Sequence, residues 1–411
     1  MKLLLFLSLV FILSCTKESQ RRPSSADQSL SWYPVYESYQ DRIKKDPYLG
    51  LWVNSEHTIA YDLLNLATTS IEIEIYEMKD PVFRELLLKA IERGVRVRIV
   101  KDSYTVGDSC SELESISEED DESCKSEKEF VTKLLKSGAS YIWFNKKELC
   151  GVKGRSCYQH GKMLIVDKQY LLLSSGNFNS SSLCNPELKP DKCNRDYSFV
   201  TKNKKVIEGL STVFDLDEKG VAWDFDSVLN SIHQGVTVSP RSLDKLVSII
   251  NRAKKSILVQ NQYLEEPTIN QALVQKAKEG IKVSVQVATF CNFGLISPTK
   301  REKIRKIYTE FQEAGIEAKV FNSKMLVGER PGYLHAKAFL IDDKIGWIGS
   351  TNGSETSTLQ NREFGVLFTA KSSLRKLSET IKQDFDHPLS MGWEEALKCA
   401  GQQDLPRPNK K

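Results

Sequence analysis

His160 and Lys162 are separated by one small residue, and so are His335 and Lys337. Residues two apart on a strand leave the same face, so each pair sets an imidazole beside an ammonium. The surroundings repeat as well: HGKMLIVDKQYLLLSSGN starts at His160 and HAKAFLIDDKIGWIGSTN at His335, 175 residues later. Gly161 and Ala336 keep the other face of each strand close-packed. Four apolar residues then bury the strand, and Asp167-Lys168 and Asp342-Asp343-Lys344 have turn composition. The returning strands carry Ser175 and Asn177, or Ser350 and Asn352, back to the histidine end. NRDYSF and NREFGV follow, supplying Asp196 and Glu363.

These groups suit a phosphodiester. A neutral imidazole is a competent nucleophile at neutral pH. A lysine ammonium binds a non-bridging oxygen as a point charge, and Ser and Asn donate to the other oxygens. A carboxylate on the far ring nitrogen, Asp196 or Glu363, fixes the tautomer. In-line displacement places the nucleophile and the leaving oxygen on opposite sides of phosphorus. A second histidine facing the first can protonate the leaving group, which is a reason to hold the motif twice. Each histidine is expected to be served by the lysine, asparagine and carboxylate of its own copy.

The elements that position these residues are duplicated too. SIEIEIYEMKDPVFRELLLKAIERGVRVRIV starts at Ser70 and SILVQNQYLEEPTINQALVQKAKEGIKVSVQV at Ser256; each reads as strand, loop, helix, glycine, strand. Ile71, Ile73 and Ile75 alternate with period two, Leu86, Leu87, Ala90 and Ile91 recur at helical spacing, and Gly94 stops the helix. Closing helices are expected over 204–215 and 373–386. The fold class is α/β, with two similar α/β halves packed about a pseudo-twofold axis and a junction near 235–240. Domain bounds of 46–235 and 236–400 follow, with a tail over 401–411.

The offset between the copies shrinks along the chain, which places three extra loops in the first half. Each holds a cysteine pair: Cys110 with Cys124, Cys150 with Cys157, and Cys184 with Cys193. Cys291 and Cys399 remain. Eight cysteines besides Cys15 in an exported chain read as disulfides, with each loop stapled locally. There is no C-x-x-C pair, so a zinc knuckle is not expected.

Export is read from MKLLLFLSLVFILSC, whose apolar run is too short to span a bilayer and fits a secretory signal over 1–15. Its Ser-Cys ending resembles a bacterial lipoprotein signal, with Cys15 the lipid attachment site and 16–45 a tether. The expected location is the bacterial periplasm or cell surface, with membrane association through the lipid anchor. The formal charge of +4 conceals an acidic run over 112–122 with seven acids and no base, so the remainder is markedly more basic. The run is read as a solvated loop, with a lid over the site mouth as the sharper alternative.

The two copies resemble the H-x-K-x4-D-x6-G-S-x-N signature of the phospholipase D superfamily. His160, Lys162, Asp167, Ser175 and Asn177 match it, as do His335, Lys337, Asp342, Gly349, Ser350 and Asn352. The later Asn-Arg-Asp/Glu is also typical, and the resemblance covers 57–386. Ser174 departs from the pattern, standing where glycine is usual. The resemblance implies a catalytic set of His160, Lys162, Asp167, His335, Lys337 and Asp342. It implies a covalent phosphohistidine without metal or cofactor, His160 as nucleophile and His335 as general acid. One chain holding both motifs is expected to act as a monomer. The first substrate expectation is hydrolysis of phospholipid head groups. Alternatives are a metal-independent nuclease on DNA or RNA, and a non-catalytic phosphate-binding surface protein. Cardiolipin synthase-like transfer is ranked lower, because membrane-spanning segments are absent from the sequence. His57, His233 and His387 have no motif context, and Trp143 and Trp347 are expected in the core.

Overall fold

The structure is a computed structural model that describes residues 46–54, 59–103, 122–185, 187–292 and 296–399. Cys15, His57, Cys110 and most of the acidic run lie outside them.

Strands in the first half are β1 (Gly50–Val53), β2 (Ser70–Ile75), β3 (Arg96–Lys101), β4 (Ser140–Trp143), β5 (Lys162–Val166), β6 (Tyr170–Ser174), β7 (Cys193–Arg195) and β8 (Tyr197–Thr201). In the second half they are β9 (Val236–Ser239), β10 (Ser256–Asn261), β11 (Lys282–Ala288), β12 (Glu317–Phe321), β13 (Leu326–Val327), β14 (Arg330–Leu334), β15 (Lys337–Ile341), β16 (Ile345–Gly349), β17 (Glu363–Phe368) and β18 (Met391–Gly392). One sheet runs β1-β8-β6-β5-β2-β3-β4 and the other β9-β17-β16-β15-β10-β11-β12-β18. Apart from β18 the two orders correspond strand for strand. In each, the strands flanking the helical crossovers are parallel and the remaining pairs antiparallel.

The period-two pattern of β2 is real, but its acidic face is not solvated. Every residue of Ser70–Ile75 is buried. Glu72 pairs with Arg98 and Lys168 and accepts from Ser211 Oγ at 2.9 Å. The cover is the helix Lys204–Lys219, which lies over this face. A mixed apolar core joins side chains of both halves, including Phe199 and Phe368, whose rings stack at 4.8 Å. Each half has a further core behind its own sheet. Trp347 is fully buried and donates to Thr237 Oγ1 at 3.0 Å, while Trp143 is only partly buried.

Disulfides join Cys150 to Cys157, Cys184 to Cys193 and Cys291 to Cys399. The first two are the local staples expected for the added loops. Cys124 is also disulfide-bonded. The residual pair Cys291–Cys399 closes the longest loop, tying the end of β11 to the chain beyond β18. His233 and His387 each accept a backbone N–H within their own turn.

Candidate active site

Two short pairings between the halves build the centre. β7 runs parallel to β14, and Gln159 bridges Arg362 in the same sense. In consequence His335 N–H donates to the Arg195 carbonyl at 3.1 Å, and His160 N–H donates to the Arg362 carbonyl at 2.8 Å. Each histidine is therefore laid beside the acid that follows the other half's arginine. His160 Nδ1 is 2.9 Å from Glu363 Oε2, and His335 Nδ1 is 3.0 Å from Asp196 Oδ1. The expectation that each histidine uses its own copy's carboxylate is corrected: the pairs cross over. An ionised carboxylate only accepts, so Nδ1 carries the proton in both rings and Nε2 keeps the free lone pair.

The acids are held in turn. Asn361 donates to Glu363 Oε1 at 2.9 Å, and Ser175 Oγ donates to Asp196 Oδ1 at 2.7 Å. Ser350 instead braces backbone, accepting from Phe364 N–H at 3.0 Å. Lys162 and Lys337 are fully buried, and each donates to the carbonyl of its own histidine. Lys337 also reaches the Ser175 carbonyl at 3.5 Å, so one half's hairpin end meets the other half's lysine. Asn177 and Asn352 end the same hairpins, each with a buried Oδ1 that has no partner among the described residues. Tyr76 lies 4.9 Å from the His160 ring and Tyr333 6.4 Å from His335.

Small residues permit this closeness. A Cβ on Gly161 would stand 2.3 Å from the Phe364 ring, and one on Gly176 2.5 Å from Asp196 Oδ2. Ser174, the departure from the family pattern, caps its turn by accepting from Gly176 N–H and from Ser198 Oγ, both at 3.0 Å. The matching position opposite Gly349 is Gly365, which has no hydroxyl to pair.

Burial drives the His160 imidazole down to about 4; Glu363 opposes this and Lys162 adds to it. Burial does the same to His335, also to about 4, with Lys337 adding and Asp196 opposing. At neutral pH both rings are neutral, and their contacts with the acids are hydrogen bonds rather than ion pairs. Burial lowers Lys162 to about 8 despite Glu363 and Asp196, and it lowers Lys337 well below the usual range. Burial alone would raise the two acids, but their histidine and lysine neighbours hold both below the ordinary carboxylate range. Burial disfavours the charge on both lysines, and a bound anion favours it, so the pair forms a site suited to an anion.

Asp167 and Asp342 are not brought to this centre, which corrects their place in the expected catalytic set. Each sits at the far end of its five-residue strand, roughly 16 Å away, in a turn whose first two residues have φ between 51° and 54°. Asp167 accepts from the backbone N–H groups of Thr68, Thr69 and Ser70, and Asp342 from those of Lys254, Lys255 and Ser256. They anchor the loop entering β2 and the loop entering β10. Those bonds hold Asp167 down to about 2 although burial would raise it. Such a depressed acid stabilises the fold above its unfolded value of 3.8, and the contribution disappears as pH falls through about 2. Asp167→Asn is expected to lower stability at pH 7 by about 1 kcal/mol, the shift being discounted for the exposure of the carboxylate. The gap from the parent should close toward pH 2, while turnover of the folded enzyme changes little. A large loss of turnover without a stability change would restore Asp167 to the chemistry.

Sequence reasoning missed the groups that tie the halves together. Arg195 binds Asp384 with Nε at 2.7 Å and Nη2 at 2.9 Å; Arg362 binds Asp217 with Nε at 2.6 Å and Nη2 at 3.1 Å. Both pairs cross between halves. The clue was available: the two arginines and the two aspartates are each 167 residues apart.

The family described as cardiolipin synthase, PLD-like domain matches residues 61–217 and 246–387. The chain belongs to the phospholipase D superfamily. Among phospholipase D-like relatives, the cardiolipin synthase of Geobacillus kaustophilus (strain HTA426) is 22% identical over 412 residues, covering 92% of this chain and 74% of that protein. The major cardiolipin synthase ClsA of Bacillus subtilis (strain 168) is 22% identical over 334 residues, 77% of this chain and 63% of that one. A cardiolipin synthase of Alkalihalophilus pseudofirmus is 29% identical over 144 residues, 34% of this chain and 26% of its own length. The chain thus spans less than two thirds of the latter two. A phosphatidylserine synthase structure from Haemophilus influenzae Rd KW20 shares the fold, with a TM-score of 0.56 at 12% identity over 84% of this chain and 90% of that one.

Proposed function

We propose that this phospholipase D-like chain breaks the head-group phosphodiester of phospholipids through a phosphatidyl-histidine and passes the phosphatidyl group to water or an alcohol. The observation that carries this is the crossed arrangement: two imidazoles, each gripped at Nδ1 by the opposite half's acid, with Nε2 free beside two buried lysines. His160 Nε2 attacks phosphorus. The bond to the head-group oxygen breaks, and His335 gives that oxygen a proton. In the second step an incoming hydroxyl gives its proton to His335 and its oxygen attacks phosphorus. The phosphorus–nitrogen bond then breaks, returning its electron pair to His160. A bound phosphodiester anion raises the imidazole pKa values, which supplies the protonated His335 that the free site lacks.

The relatives bear cardiolipin synthase names, which favours an alcohol acceptor over the hydrolysis expected first. Among the described residues, no helix is long and apolar enough to cross a membrane. The residues of the centre lie within the matched segments, however, so the chemistry does not call for spanning helices. Export and a lipid anchor at Cys15 complete the reading, placing the site at a membrane surface.

The test is one panel: vesicles of phosphatidylglycerol, phosphatidylethanolamine and phosphatidylcholine, each with and without glycerol, beside single-stranded DNA and RNA. Turnover of phospholipid that survives EDTA is expected, because the lysines supply the cations that would otherwise come from a metal. Cleavage of nucleic acid alone would replace this reading with the nuclease. Full loss in EDTA, restored by zinc or magnesium, would sink the mechanism.

A further inference from the structure

A cavity of about 300 Å³ in the second half is connected to the centre through Tyr333, whose ring lies 6.4 Å from that of His335. Tyr333, two residues before His335, forms part of its wall. Phe290, Ile304 and Ile307 give it apolar sides. Its volume is at the lower end for small-ligand pockets, about 300–1,000 Å³.

Three buried polar groups line this cavity with no hydrogen-bond partner among the described residues: Gln262 Oε1, Thr289 Oγ1 and Tyr308 Oη. All three residues are more than nine-tenths buried. An unmet buried polar group costs about 1–3 kcal/mol, and three around one cavity call for a common ligand. Their chemistry restricts it. The Gln262 amide nitrogen is engaged, donating to Tyr263 Oη at 3.1 Å and Tyr333 Oη at 3.0 Å. Its Oε1 is therefore an acceptor in need of a donor. A phosphate or carboxylate has acceptors only and cannot satisfy it. A quaternary amine has no N–H or O–H at its charged end. The charged residues of the wall are already spent on each other: Glu265 is bridged by Lys300 at 3.1 Å, and by Lys303 at 2.9 Å. An uncharged group carrying hydroxyls meets every condition.

We propose that this cavity is the alcohol subsite, taking a neutral hydroxyl-bearing group such as a glycerol moiety on the His335 side of the centre. The inference rests on the phosphatidyl-transfer reading and adds its acceptor class. The placement is chemically apt, because His335 protonates the departing alcohol and deprotonates the incoming one. The first-half positions matching Gln262 and Tyr263 are Tyr76 and Glu77. Glu77 there accepts from Asn177 and Asn179 and pairs with Lys79. The two sides of the centre are therefore unlike, with the open polar wall on the His335 side.

The experiment uses the full chain and its Thr289→Val/Tyr308→Phe variant. Both changes are near-isosteric and remove orphaned hydroxyls, so the melting temperature should not fall. Thr289→Val alone serves if the double variant does not fold. Phosphatidylglycerol vesicles are supplied with deuterated glycerol, and three products are counted. Phosphatidic acid reports water, deuterated phosphatidylglycerol reports free glycerol, and the two-phosphatidyl product reports a lipid's glycerol head group. The ratio of alcohol products to phosphatidic acid should fall about tenfold in the variant. The product that dominates identifies the source of the alcohol. An unchanged ratio overturns the subsite.

If no phospholipid turns over, the transfer reading fails, and a binding measurement still decides the cavity. Saturation-transfer NMR on the native chain should detect glycerol and lose that signal in the variant. A glycerol signal that is absent, unaffected by the variant, or matched by choline or inorganic phosphate overturns the proposal.

Discussion

Replacement of His160 by alanine is expected to abolish turnover of every phosphodiester, by on the order of 10⁴-fold or more, because no covalent intermediate forms without its Nε2. Replacement of His335 should behave differently. An alkoxide head group needs a proton as it leaves, and losing the general acid costs about 10²–10⁴-fold there. Nitrophenolate needs almost none, so a nitrophenyl phosphodiester should lose far less in the first step. The second step still requires a base for the incoming hydroxyl, so phosphoenzyme should accumulate in His335→Ala. Acid-quenched peptide mapping reads the result directly: a phosphate adduct on residues 158–162 supports His160 as nucleophile. An adduct on His335 in the His160→Ala protein would reverse the two roles. The near-twofold geometry leaves this open, since both rings are neutral and driven to about the same value by burial. The asymmetry that favours His335 as the acid–base partner lies outside the motifs, in the open polar wall beside Tyr333.

The residues of the centre were legible in the sequence because a strand needs apolar residues but does not need His, Lys, Ser and Asn at fixed places around them. The repeat likewise exposed two similar α/β halves, since each segment of one half has its counterpart in the other, while the strand order came only with the structure. What a repeat cannot say is which copy a side chain meets. Glu363 serves His160 because β-type pairing joins the His160 segment to Arg362, and that contact spans 202 residues. Asp167 was misread for a related reason: a motif compresses into one line residues that a straight strand holds far apart. The alternation in β2 marks its apolar face but says nothing of the acidic one, which the helix Lys204–Lys219 covers, supplying Ser211 to Glu72. The cavity walled in part by Tyr333 had no sequence signal. Its lining comes from the end of β10, the end of β11, the helix Pro298–Glu313 and β14, and only the fold brings them together.

The crossed pairing gives the second large effect. Glu363 and His160 lie in different halves, yet Glu363→Gln should reproduce the His160 defect. An amide at this position can present its NH₂ to Nδ1, which then becomes the acceptor and moves the ring proton to Nε2, removing the attacking lone pair. The loss should be on the order of 10²–10⁴-fold and nearly independent of the leaving group. Asp196→Asn should instead reproduce the His335 defect, with the first step slowed severely for alkoxide head groups and mildly for nitrophenolate, although Asp196 sits in the half that carries His160. A pairing within halves predicts the opposite assignment, with Asp196 tracking His160. Measuring both variants on a phospholipid and on a nitrophenyl substrate separates the two arrangements in one experiment. Combined variants sharpen it: Glu363→Gln should add little to His160→Ala, and Asp196→Asn little to His335→Ala, because each acid acts through one ring. If Asp196→Asn proves leaving-group independent and Glu363→Gln does not, either the crossed hydrogen bonds are not those of the working enzyme or His335 is the nucleophile. The peptide carrying the trapped phosphate tells these apart.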